Sequence, residues 1–89
     1  MNKNTYNNDK SVNQLITYLV LWYLTDKRID LDTTNGYKPV KNIEKCKDLA
    51  SKITMLLRTI DLELYANAKS IYPLVDHVAL LNTFKVRYL

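Results

Sequence analysis

The stretch NIEKCKDLASKITMLLRTIDLELYANAKS, residues 42–70, decides how the rest of the chain is read. Ile43, Cys46, Ala50, Ile53, Leu57, Ile60 and Leu64 follow one another at steps of three and four. That is the spacing of side chains on one face of an α-helix. Leu49 and Leu56 widen the face into a core-facing stripe, broader than the narrow seam of a coiled coil. Asn42 has N-cap chemistry, and Glu44 suits the positive end of the helix dipole. Neither Gly nor Pro interrupts the run before Pro73. The pattern therefore predicts one long central helix over about 42–70.

Upstream, LITYLVLWYL at Leu15–Leu24 is the most apolar stretch of the chain. Val12, Leu15, Ile16, Leu19, Val20 and Tyr23 recur at helical spacing, while Leu21, Trp22 and Leu24 make the other side apolar too. A helix over about 11–25 follows, buried on most of its surface. Ser11 and Gln14 have the spacing of a capping box. Ten apolar residues are too few to span a bilayer. Residues 1–10 are Asn-rich and polar, resemble no export signal, and are expected to stay disordered beside a single domain at 11–89.

Between these helices the pattern changes. Ile29 and Leu31 alternate with polar residues, Asn35-Gly36 carries turn chemistry, and Tyr37-Lys-Pro-Val40 can return as an edge strand. A short β-hairpin over about 28–40 and a long loop are both open readings. Downstream, Pro73 suits the first turn of a short third helix over about 73–82, lined by Leu74, Val75, Val78 and Leu81. The tail from Thr83 to Leu89 alternates apolar and basic residues, so it either adds a C-terminal strand or prolongs that helix. The fold class expected is mainly α, a small helical domain around one long helix.

An 89-residue domain buries little more than about 60% of its unfolded surface, so a lone copy is marginally stable. The single cysteine, Cys46, excludes an internal disulfide, and no Cys/His set suits a structural zinc. No cofactor or metal is expected. A helix over 42–70 would be roughly 42 Å long. A compact domain of this length is only about 30 Å across. The overhang favours a homo-oligomer, most simply a dimer.

The charge is local. Lys38, Lys41, Lys45, Lys47, Lys52 and Arg58, opposed by Glu44 and Asp48, account for the whole net charge of +4. Lys38, Lys41, Lys45 and Lys52 can share a face, edged by Asp48. Clustered lysines suit a phosphate backbone or a phosphorylated ligand, and equally a solvated helix face. Tyr65 and Tyr72, seven residues apart on the long helix, join Trp22 as candidates for a protein-contact patch. His77 lies near Asp61, Glu63 and Asp76, but a single His without a nucleophile or a second ligand does not define a site. Cys46 falls on the apolar stripe, where a small buried thiol is expected.

No constellation identifies a reaction. The expectation is a non-enzymatic, oligomeric protein-interaction module in the cytoplasm, with contacts drawn from Lys38, Lys41, Lys45, Lys52, Arg58, Tyr65 and Tyr72. Its Asn, Lys, Ile and Tyr usage suits an AT-rich genome, such as a phage or mobile element acting on a host factor in the host cytoplasm. Two alternatives stand beside it. One is a small basic nucleic-acid binder using Lys38–Arg58, and the other is a binder of a phosphorylated small ligand between subunits. No membrane partner is expected.

Overall fold

The structure, a computed structural model, describes residues 10–25 and 40–89, with the backbone alone at 40–42. Four helices follow one another: α1 over residues 10–25, α2 at Val40–Leu57, α3 at Leu62–Ala66 and α4 at His77–Tyr88. The mainly helical class is as the periodicity indicates, and no strand occurs among the described residues. The hairpin expected at 28–40 and the segment 1–10 fall outside them, except for Val40 and Lys10, which are both helical.

α1 lies where its spacing places it. Val12, Leu15, Ile16, Leu19, Val20 and Trp22 are all buried, the largest contribution of any helix to the core. The helix is already under way at residue 10, so Ser11 sits in its first turn and not at its cap. Burial is also one-sided: Leu21 and Leu24 face outward, contrary to the expectation of a helix covered almost all round. Cys46, Leu49, Ala50 and Ile53 of α2 close on α1 from one side, and Leu80, Leu81 and Phe84 of α4 complete the same core. Trp22 joins the elements. Its ring meets Phe84 edge-on at 5.2 Å and Tyr88 edge-on at 5.9 Å, while Phe84 and Tyr88 stack at 4.8 Å.

The long central helix is corrected. It starts two residues before Asn42, which is therefore inside the helix and not its cap, and it ends at Leu57. The N–H groups of Arg58 and Thr59 turn back to Met55 and Leu56 in a tighter winding, and the Thr59 hydroxyl also donates to the Leu56 carbonyl. Asp61 then takes extended backbone angles and accepts from the N–H groups of Glu63 and Leu64, capping α3. Two forces favour the break over a continuous helix. Asp and Thr side chains offer the backbone hydrogen bonds that compete with helix continuation. The turn also carries Tyr65, which lies off the apolar stripe of a straight helix, into the core, where it is 1% exposed. At 18 residues α2 is about 27 Å long, so the overhang that favoured a dimer is gone.

The third helix is shifted. Pro73 lies in the turns between α3 and α4 and does not open a helix. Asp76 does, accepting from the Ala79 N–H at 3.0 Å. α4 then runs through the tail to Tyr88, so of the two readings open for residues 83–89 the prolonged helix is the one found and the strand is not. The alternation over 83–89 was a weaker constraint than the three-four spacing of Leu80, Leu81, Phe84 and Tyr88, which sets three aromatic rings together. No helix among the described residues is long and apolar enough to cross a membrane.

Candidate functional site

The basic residues of α2 divide between its two flanks. On one, Lys52 pairs with Asp48 at 3.1 Å and stands over the Tyr18 ring at 5.7 Å. The hydrogen bond that Lys52 donates to Asp48, then the Asp48 charge, raises the Lys52 ammonium above its ordinary pKa. Asp48 thereby offsets the charge of Lys52. Lys45 is exposed on this flank, and Lys41 shares its side by helical spacing. Lys38 and the side chain of Lys41 lie outside the described residues, so the four-lysine face is not assembled in full.

The other flank is a groove. Lys47, Ser51 and Thr54 of α2 and Arg58 just past its end follow at steps of four, three and four, and Tyr88 at the end of α4 forms the facing wall. Ala50 and Met55 add apolar surface to a volume of about 460 Å³. Lys47 and Arg58 are exposed, and among the described residues neither has a carboxylate partner. The Thr54 hydroxyl proton is committed to the Ala50 carbonyl at 2.9 Å. That of Tyr88 is placed differently. The Trp22 indole N–H, which can only donate, points at the Tyr88 oxygen from 3.5 Å. The Tyr88 proton is thereby directed away from Trp22, and Cys46 Sγ lies 4.0 Å from the same oxygen, where either group can donate.

A second surface is apolar. The inner side of α4 is buried through Leu80, Leu81 and Phe84, yet Val78, Val86 and Leu89 stand exposed on its outer side. Leu74 is fully exposed just before the helix, and Leu24 projects from α1. Leu24, Leu74, Ala79 and Thr83 line one open groove of about 390 Å³, and Thr83 with Val86 lines the next. The two are continuous through Thr83.

Tyrosine placement corrects the contact patch read from the sequence. Tyr65 and Tyr72 are not on one helix: Tyr65 belongs to α3 and Tyr72 to the turns that follow. Tyr65 is buried, donates its hydroxyl to the His77 carbonyl at 2.6 Å, and meets the His77 ring edge-on at 5.2 Å. Burial, and secondarily the charge of Asp76, pushes its phenol well above the ordinary range. Tyr72 is half-buried against the core, and Trp22 is fully buried. Among the described residues, only Arg58 of the expected contacts enters the groove. Ser51 and Tyr88 were missed, although the 4-3-4 spacing of Lys47, Ser51, Thr54 and Arg58 was open to reading.

The carboxylates near His77 have structural work. Asp61 caps α3 and Asp76 caps α4, so neither is oriented as a partner for the imidazole, whose buried Nε2 has no hydrogen-bond partner among the described residues. No three metal-ligating side chains come together among the described residues, and Cys46 is buried as its position on the stripe implies. Comparison with protein-family models, with curated proteins and with solved structures gives no match.

Proposed function

We propose that this chain is a non-enzymatic protein-interaction module that works as an oligomer, with the outer face of α4 as its contact surface. The observation that carries this reading is that α4 is apolar on both sides. Its inner side fills the core, and Val78, Val86 and Leu89 remain outside it together with Leu24 and Leu74. Single exposed apolar residues are ordinary on any protein, but a continuous strip of them marks a contact surface.

The first occupant is a second copy of the chain. Val78, Ala79, Asn82 and Val86 share an uncharged face of α4, with Asp76 in the groove at one end and Arg87 in the groove at the other. An antiparallel copy across a twofold axis therefore brings unlike charges together. The net charge of +4 lies in the stretch 38–58, outside the sequence of α4. A small domain also gains most from covering further apolar surface. A partner of a different sequence, such as a host factor, would use the same strip or what the dimer leaves open.

Sedimentation equilibrium tests this directly. The wild-type chain is expected to sediment as a dimer, and Leu74→Glu with Val86→Glu as a monomer of unchanged far-UV circular dichroism. A wild-type chain that stays monomeric at millimolar concentration, or a double variant that still dimerises, overturns the reading.

A further inference from the structure

We propose that the groove between α2 and the end of α4 binds a small phosphate-bearing ligand with a flat apolar part, of the nucleoside phosphate class. Donors dominate its polar groups. Lys47 and Arg58 stand at its two ends, on one side of the helix and about three turns apart, with no carboxylate partner among the described residues. Ser51 lies between them, and Tyr88 faces them with its proton directed away from Trp22. The remaining hydroxyl, Thr54, is already donating to the Ala50 carbonyl and does not compete for a donor partner. Among the described residues, no carboxylate side chain lines the groove. A site offering charged and neutral donors calls for a ligand rich in acceptors and negative charge, and phosphate oxygens meet that need in short, charge-assisted hydrogen bonds.

The apolar part follows from the other walls. Ala50, Met55 and the ring of Tyr88 present a surface on which a base or similar ring can lie. The volume of about 460 Å³ falls within the roughly 300–1,000 Å³ of small-molecule sites. A polymer is the poorer fit. Helical spacing sets Glu44 on the outward face of α2 beside the groove, where a nucleic-acid strand running past the Lys47 end would meet its negative charge. Asp48 is held toward Lys52, which leaves the groove flank itself positive.

The groove is separate from the outer face of α4, so the two proposals fail independently. ADP, inorganic pyrophosphate and a short single-stranded oligonucleotide are titrated into the whole chain by calorimetry and by amide NMR. ADP is expected to bind saturably, shifting amides over 47–58 and at Tyr88, and more tightly than pyrophosphate. Lys47→Glu with Arg58→Glu, both exposed and so compatible with the fold, should weaken ADP by about tenfold or more. Tyr88→Phe, which keeps the ring and removes only the hydroxyl, should weaken it by about threefold to tenfold. Unchanged affinity in the charge-reversed variant, amide shifts confined to other surfaces, or absence of ADP binding overturns the proposal. Oligonucleotide binding without ADP binding also overturns it, in favour of a nucleic-acid surface.

Discussion

Asp76 and Asp61 each hold backbone N–H groups at a helix start, and the cost of losing either is calculable. Asp76→Ala leaves the Ala79 N–H without its acceptor and should cost about 1 kcal/mol in urea unfolding, while Asp76→Asn should recover most of it. Tyr65 gives a pH dependence. Its phenol is pushed up in the folded chain, chiefly by burial, while in the unfolded chain it titrates near its ordinary value of 10.0. Above that pH the unfolded state loses a proton that the folded state keeps, so stability falls as pH rises. Below it the contribution is fully present. Unfolding of the wild type should therefore steepen with pH above about 10, and Tyr65→Phe should remove that part of the slope. At this scale the sequence was a poor guide to roles. His77 has Asp61, Glu63 and Asp76 near it in the sequence, yet Asp61 and Asp76 are caps, and the bond that ties Tyr65 to this region ends on the His77 carbonyl, an atom that every residue carries.

At the scale of elements, periodicity identified α1 and the first part of α2 because their buried residues lie on unbroken stripes. It failed after Leu57, where Ile60 and Leu64 still keep the three-four step through a turn that is not helical throughout. Spacing alone does not separate a straight helix from two helices joined by a compact turn that bury the same residues. The distinguishing signal was Thr59-Ile-Asp61, whose side chains favour turn and cap geometry. Asp61→Ala removes the acceptor for the Glu63 and Leu64 N–H groups and should destabilise the chain by about 1 kcal/mol. A loss near zero would mean that Tyr65, anchored in the core, holds α3 without its cap. The basic groove was half-readable for a related reason. Helical spacing assigns residues to a flank, but the facing wall comes from Tyr88, forty-one residues beyond Lys47, and only packing brings it there.

At the scale of the molecule, one aromatic cluster joins the first helix to the last. Phe84 is fully buried between Trp22 and Tyr88, so Phe84→Ala should cost about 3–5 kcal/mol. A small domain has only about 5–15 kcal/mol to lose. The variant is expected to melt far below the wild type in calorimetry, and a melting point within a few degrees would show that α4 is held by other contacts. Trp22 is the only tryptophan in the chain, wholly buried, with Arg87 over its ring at 5.4 Å. The molecule thus carries an intrinsic optical probe at the junction of α1 and α4. Its emission should be blue-shifted in the folded state and move to the red when α4 separates. Because its N–H points at the hydroxyl of Tyr88, a ligand that pulls on that hydroxyl should alter the fluorescence without any label. Occupancy of the groove would then be readable as light from the opposite side of its wall.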